Sequence, residues 1–213
     1  MVEAADRTPK QRILAACDDL FTRQGTRPVG VDTIIERAGV AKATLYSNFG
    51  SKDALVVAWL RSPVTRWLDA LAQEMNARTD DPVAALVTVF DVLRGWFEEG
   101  RMDGCPFLHT MSEYRDRGHP ARVEVDAYVD EVLTWLRSWT EAAGVATPGQ
   151  VAAHIRLLVA GAFDMSFATS SSAPWGEARA AAVALLAAGL GTSTAAVEQR
   201  VAAGASGDRP PSP

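Results

Sequence analysis

Residues 42–52, KATLYSNFGSK, gather side chains suited to one kind of chemistry. Read as a helix of about two turns, Lys42–Asn48 points Lys42, Ala43, Thr44, Ser47 and Asn48 outward with Tyr46 beside them. Nothing bulky and aliphatic and nothing acidic shares that face. A helix that enters a nucleic-acid groove needs this composition: small residues for close approach, hydroxyls and amides for base edges, cations for phosphates. Ser51 reads as the cap of the next helix, and a helix N-terminus beside Lys52 suits a phosphate. A solvated helix of a small bundle shows a polar face too, so polarity alone leaves both readings open.

A second cluster runs from Gly104 to Tyr114, GCPFLHTMSEY. Cys105 and His109 are four apart and can share a helix face. A zinc site needs three or four ligands, and only His119 and His154 remain, so no metal is expected. Trp96, Phe107, Met111, Tyr114, Tyr128, Trp135, Phe163 and Met165 can wall an apolar cavity, with His109, Glu113 and Asp164 as scattered polar contacts. A plain core with aromatic fillers is the alternative. Nothing catalytic is expected: the chain has no Gly-rich phosphate loop, no nucleophile elbow and no paired carboxylates. No cofactor is expected either.

The elements that must position the first cluster are legible. Ile34, Ile35 and Ala38 fall on one helical face, Gly39 stops that helix, and Val40 and Ala41 turn the corner. Leu45 and Phe49 face inward from the next helix, which Gly50 ends. Two helices joined by a short Gly-containing corner make a helix-turn-helix. Ahead of it, Thr8, Pro9 and Gln11 read as a capping box. The helix they start carries Ile13, Leu14, Cys17, Leu20 and Phe21 on one stripe and ends at Gly25.

Ile34, Ala38-Gly39-Val40, Thr44-Leu45-Tyr46, Phe49 and Ser51-Lys52-Asp53-Ala54-Leu55 together resemble the N-terminal signature of the tetracycline-repressor (TetR) family of bacterial transcriptional regulators. The resemblance covers roughly residues 9 to 60. Ala41 departs from it where Ser or Thr is usual, Ala43 where Gly is common and Asn48 where His is common. The resemblance implies a dimer that binds double-stranded operator DNA, most often as a repressor. It also implies an all-helical C-terminal domain that takes a small effector, here apolar or aromatic. By resemblance, Lys42, Tyr46 and Lys52 take phosphates, Ala43, Thr44 and Ser47 face bases, and Thr33 adds a phosphate contact. The rival reading is a helical-bundle carrier or enzyme with a vestigial head.

Composition agrees with a globular all-α protein: 213 residues, 48% apolar and 22% charged. Net charge is −5, but residues 1–62 hold nine Lys or Arg against seven Asp or Glu. A mildly basic head on an acidic body suits a few phosphate contacts, not a protein that coats DNA. The N-terminus reads as no secretory signal and no uncharged run approaches a membrane span, so a cytoplasmic protein without membrane contact is expected. Two cysteines, Cys17 and Cys105, fit a reducing compartment.

The expected organisation is a three-helix head over 1–50, a linking helix over 51–76 with a kink or break near Arg61–Pro63, a helical-bundle body over 77–203 and a disordered tail over 204–213. X-Pro starts mark body helices at Pro82, Pro106, Pro120 and Pro148, with Pro174 opening the last long one. Thr147-Pro148-Gly149-Gln150 reads as a second capping box. The helices over 148–169 and 174–189 are apolar on more than one face, which predicts a homodimer through a four-helix bundle. Leu157, Gly161, Ala181, Leu185 and Ala188 are its expected seam.

Overall fold

The computed structural model describes residues 7–62, 67–102 and 104–205. Among them lie eleven helices and no strand. The chain divides into two compact units: residues 1–67 with 103–129, and residues 68–102 with 130–213. Pro63, where a kink is expected, lies outside the described residues, as does the tail from residue 206.

The first unit holds α1 (Pro9–Gln24), α2 (Val31–Ala38), α3 (Lys42–Phe49), α4 (Lys52–Leu60), α7 (Pro106–Glu113) and the opening turns of α8 (Pro120–Ala142). The Thr8 box forms: Thr8 Oγ1 accepts the Gln11 N–H and Gln11 Oε1 accepts the Thr8 N–H. Ile13, Cys17, Ile34, Leu45 and Leu55 are fully buried and make the core. Trp59 closes it edge-on against Phe21, centroids 5.2 Å apart, and its indole N–H donates to Asp18 at 3.2 Å. Burial pushes the Cys17 thiol up to about 12, helped by neighbouring Asp18. The helix from Ser51 ends at Leu60 with Arg61 as its C-cap, where a kink or break is expected, and α5 (Leu68–Arg78) follows.

The second unit is built on α6 (Pro82–Glu98), most of whose residues are buried. Asp81 caps it by accepting the Val83 and Ala84 N–H groups. Around it pack α5, α10 (Ala173–Leu190) and α11 (Thr194–Ala205), and α9 (Pro148–Thr169) packs on α10. Arg200 binds Asp81 through Nε and Nη2 at 2.7 and 2.9 Å. Arg179 binds Glu198 at 2.6 and 2.8 Å and reaches Asp91. These pairs fasten α11 to α6 and α10. Burial raises the Asp81 carboxyl, but Arg200 and the Ala84 and Val83 N–H groups outweigh it, so the net shift is down. Arg179 likewise lowers Glu198.

Three expectations about the body change. Thr147 has no side-chain capping bond; its hydroxyl is not aimed back at the first turn of α9. Residues 194–205 form a helix, so Gly204 belongs to α11 and packs on Thr79 rather than opening a loose tail. Finally, α9 is long and apolar enough by length and composition to cross a membrane, with mean hydropathy 1.4. Its charges, Arg156 and Asp164, are too few to pull that mean down, although they interrupt every long uncharged run. A core helix of a bundle meets the same criterion, and a third of that stretch is buried here.

Candidate nucleic-acid interface

The corner between α2 and α3 is set by Gly39, whose φ of 62° and ψ of 44° place it in the left-handed region that glycine enters without strain. Its carbonyl accepts Arg12 Nη1 at 3.2 Å, which ties the corner to α1. Ala41 is extended and supplies no side-chain cap, so the first turn of α3 presents uncapped N–H groups. Leu45, fully buried, roots α3 in the core, while Phe49 is half-buried. This leaves Lys42, Ala43, Tyr46, Ser47 and Asn48 exposed, with Thr44 half-buried. Tyr46 is 42% exposed, large for a ring with no partner to cover it. Thr33 stands exposed on the first turn of α2.

The polar groups of this face are partly engaged within the chain. Ser47 Oγ and Asn48 Nδ2 both donate to the Thr44 carbonyl, at 3.0 and 2.7 Å, leaving their oxygens as acceptors. Lys42 Nζ sits 2.9 Å from Asp32 Oδ1, and that carboxylate raises its pKa by hydrogen bond and charge. Both partners are largely exposed, so water screens the pair and it opens easily for a phosphate. Lys52 is half-buried, and its ammonium donates to the Arg27 carbonyl at 2.9 Å. Burial lowers its pKa, against the pull of Glu113 and Asp53. Lys52 therefore spends one proton holding the α1–α2 loop and keeps two more.

That loop has a second anchor which the sequence did not reveal. The Glu113 carboxylate at the end of α7 accepts the Thr26 N–H at 2.9 Å and the Thr26 hydroxyl at 2.5 Å. Thr26 Oγ1 also lies 3.2 Å from the Tyr114 hydroxyl. Arg27 covers the Tyr114 ring at 4.9 Å, and His119 stacks on the same ring at 4.3 Å. Gly25, with φ 83° and ψ 164°, makes room for the carboxylate: a Cβ there would stand 2.1 Å from Glu113 Oε1.

The residues expected to wall a cavity are divided between the two units. In the first, Phe107 stacks on Tyr128 at 3.5 Å, Tyr114 is buried as above and Met111 is half-buried. His109 faces solvent, its ring against the backbone of Gly104. In the second, Trp96 donates to Glu74 at 2.8 Å under Arg101, and Trp135 packs edge-on to Trp139. Phe163 packs edge-on to Trp175 at 5.1 Å. Met165 is 52% exposed and borders a shallow groove between α9 and α10 with Leu157 and Gly161. His109 and Met165 thus lie on surfaces rather than in an interior. The sequence reading missed Ser166 and Trp175, both fully buried, whose Oγ and Nε1 have no hydrogen-bond partner among the described residues. Of the expected seam, Leu157 is 63% exposed, Gly161, Ala181 and Ala188 are exposed, and Leu185 is half-buried.

Comparison with known proteins bears on this geometry. Residues 13–59, which span α1 to α4, match the family model described as bacterial regulatory proteins, tetR family. The transcriptional activator FasR of Mycolicibacterium smegmatis is 33% identical over 85 residues, covering 38% of this chain and 39% of its own length. RutR, a transcriptional regulator of Escherichia coli, is 40% identical over 62 residues, 29% of each chain. The chain therefore matches two-fifths or less of the length of these curated relatives. Among solved structures, a TetR-family regulator from Streptomyces coelicolor shares the fold with a TM-score of 0.77 at 23% identity, over 85% of this chain and 95% of that one. A TetR-type regulator from Streptomyces avermitilis aligns with a TM-score of 0.64 at 25% identity, over 78% and 90%. The head of the chain, residues 13–59, is thus similar to the DNA-binding part of the tetR family of bacterial regulatory proteins, and its helical fold is shared along most of its length with solved regulators of that type.

Proposed function

We propose that the chain is a homodimeric, effector-responsive transcriptional regulator that lays α3 of each subunit in a major groove of a pseudo-palindromic operator, working in the cytoplasm where that DNA lies. The observation that carries the reading is the division of α3: Leu45 is sealed in the core while Lys42, Ala43, Tyr46, Ser47 and Asn48 face outward. Small residues allow the helix axis to approach, and the remaining oxygens of Ser47 and Asn48 can meet base edges. Lys42, Tyr46, Thr33 and the spare protons of Lys52 serve the phosphates.

Dimerisation is supported by the exposed apolar stripe Leu157–Gly161–Met165 on α9 and the small faces of α10. Two such helix pairs related by a two-fold axis make a four-helix seam. We assign effector binding to the second unit, beside Phe163. There the unpartnered Ser166 hydroxyl and Trp175 N–H offer polar contacts to an aromatic or apolar molecule. Such a molecule switches the regulator only by binding one spacing of the two heads more tightly than another. Repression is the family's usual outcome, although FasR is named an activator.

Fluorescence anisotropy with DNA from upstream of the protein's own coding region tests the reading. The expected result is a sequence-selective, salt-sensitive complex, with Lys42→Ala weakening binding to all sequences and reducing the salt slope by about one. Equal, salt-insensitive binding to unrelated DNA, or an unchanged slope in the variant, overturns it.

A further inference from the structure

A groove of about 630 Å³ lies within the first unit, away from the α3 face and unused by the reading above. Its floor is apolar: Leu14 from α1, Val57 and Ala58 from α4, and Pro120 from the start of α8. Helices α1 and α4 run antiparallel here, since Lys52 reaches Arg27 while Trp59 reaches Asp18. That order brings the first turns of α1 beside the end of α4. Lys10 and Arg61, both lining residues, therefore share one end of the groove.

This end is positive through Lys10 and the start of α1, and Arg61, its charge matched by Glu124, adds hydrogen-bond donors. Lys10 is exposed and makes no ion pair among the described residues. Arg61 turns Nε and Nη2 to a single oxygen of the buried Glu124, at 2.8 and 2.7 Å, which leaves its Nη1 edge open. The first turn of α1 carries no acid, so its dipole adds positive potential uncompensated. The acid facing this end is Glu124, already spent on Arg61; Asp53 belongs to the other end, where it meets His119 at 3.5 Å.

We infer that this groove binds an amphipathic organic anion, its carboxylate held at Lys10 and Arg61 and its apolar body along Leu14, Val57 and Pro120. An alkyl or aromatic acid of modest size fits the volume and the one-ended charge. Such a ligand touches both α1 and α4, the two helices that hold the head together. Its site is independent of the α9–α10 region assigned to the effector.

Isothermal titration of the full chain without DNA tests this with three probes of equal tail length: octanoate, octan-1-ol and octylamine. Octanoate is expected to bind at least tenfold more tightly than octan-1-ol, and octylamine least. Lys10→Glu should weaken octanoate at least fivefold and leave octan-1-ol unchanged. That substitution places an acid in a first helical turn, where it favours folding. Val57→Trp, which fills the floor, should abolish both. Octanoate and octan-1-ol binding alike, octanoate affinity unmoved by Lys10→Glu, or no octanoate heat in the wild type overturns the assignment. Because no operator is present, failure here leaves the DNA-binding reading intact.

Discussion

Substituting Gly25 by Ala tests the tie between α7 and the head most directly. The residue sits at φ 83° and ψ 164°, a region that only glycine enters freely, so the backbone alone costs about 1–3 kcal/mol. The new Cβ would stand 2.1 Å from Glu113 Oε1 and 3.1 Å from Cδ, so the carboxylate must leave. Thr26, 2% exposed, then keeps a buried N–H with no acceptor, a further ~1–3 kcal/mol. Gly25→Ala should therefore cost about 2–6 kcal/mol in all. Glu113→Ala alone should cost ~1–3 kcal/mol for the same orphaned N–H. In the double variant that loss is counted once, so the two substitutions couple by about 1–3 kcal/mol, with the double less damaged than the sum. Urea unfolding of the four proteins measures the cycle, and hydrogen exchange at the Thr26 amide gives a local reading. Exchange there should accelerate at least tenfold in Glu113→Ala. Coupling below about 0.5 kcal/mol, with the Thr26 amide still protected, refutes the reasoning.

Further outcomes follow from other elements. Leu157→Glu places a charge where 63% of a leucine is uncovered in the single chain; it should give monomers by analytical ultracentrifugation without lowering the subunit's helicity. A dimer that persists would move the seam elsewhere. Cys17, buried with its thiol pushed up to about 12, should resist iodoacetamide at pH 8 while half-buried Cys105 is alkylated, as peptide mass mapping can show. Asp81 and Glu198 have depressed folded-state pKa values, below 3.8 and 4.5 respectively. Their stabilisation is present above those unfolded-state values and is lost as pH falls through the folded ones. The urea midpoint should thus drop between pH 5 and 3 by less in Asp81→Asn than in the wild type.

What could be read from the chain was what neighbouring residues decide. Helix starts at Pro9, Pro82, Pro106 and Pro120, the Gly39 corner and the buried root of α3 all follow from local steric and hydrogen-bonding preferences. Thr147-Pro148 shows the limit: the same residue types as Thr8-Pro9 occur without a capping bond, because the preceding backbone at φ −131° and ψ 72° turns the hydroxyl elsewhere. Helix α11 went unread for a different reason. It has no proline start, and what fixes it lies far away in sequence: Glu198 pairs with Arg179, Arg200 pairs with Asp81, and Val197 is buried against the body. Ser166 and Trp175 could not be singled out, since an unpartnered buried donor is defined by its surroundings. Glu113 was noticed as a polar residue, but its partner lies 87 positions away and no spacing rule connects them.

That separation has a consequence during synthesis. The corner after α1 leaves the ribosome well before the carboxylate that completes it. At ~5–20 residues per second, translating the intervening 87 residues takes roughly 4–17 s. Once α3 has followed, and for the rest of that interval, a nascent head has its three-helix set but lacks the acceptor for Thr26. A chimera that swaps heads at residue 60 would make this deficit permanent, whereas one that also carries residues 103–129 would restore the missing partner.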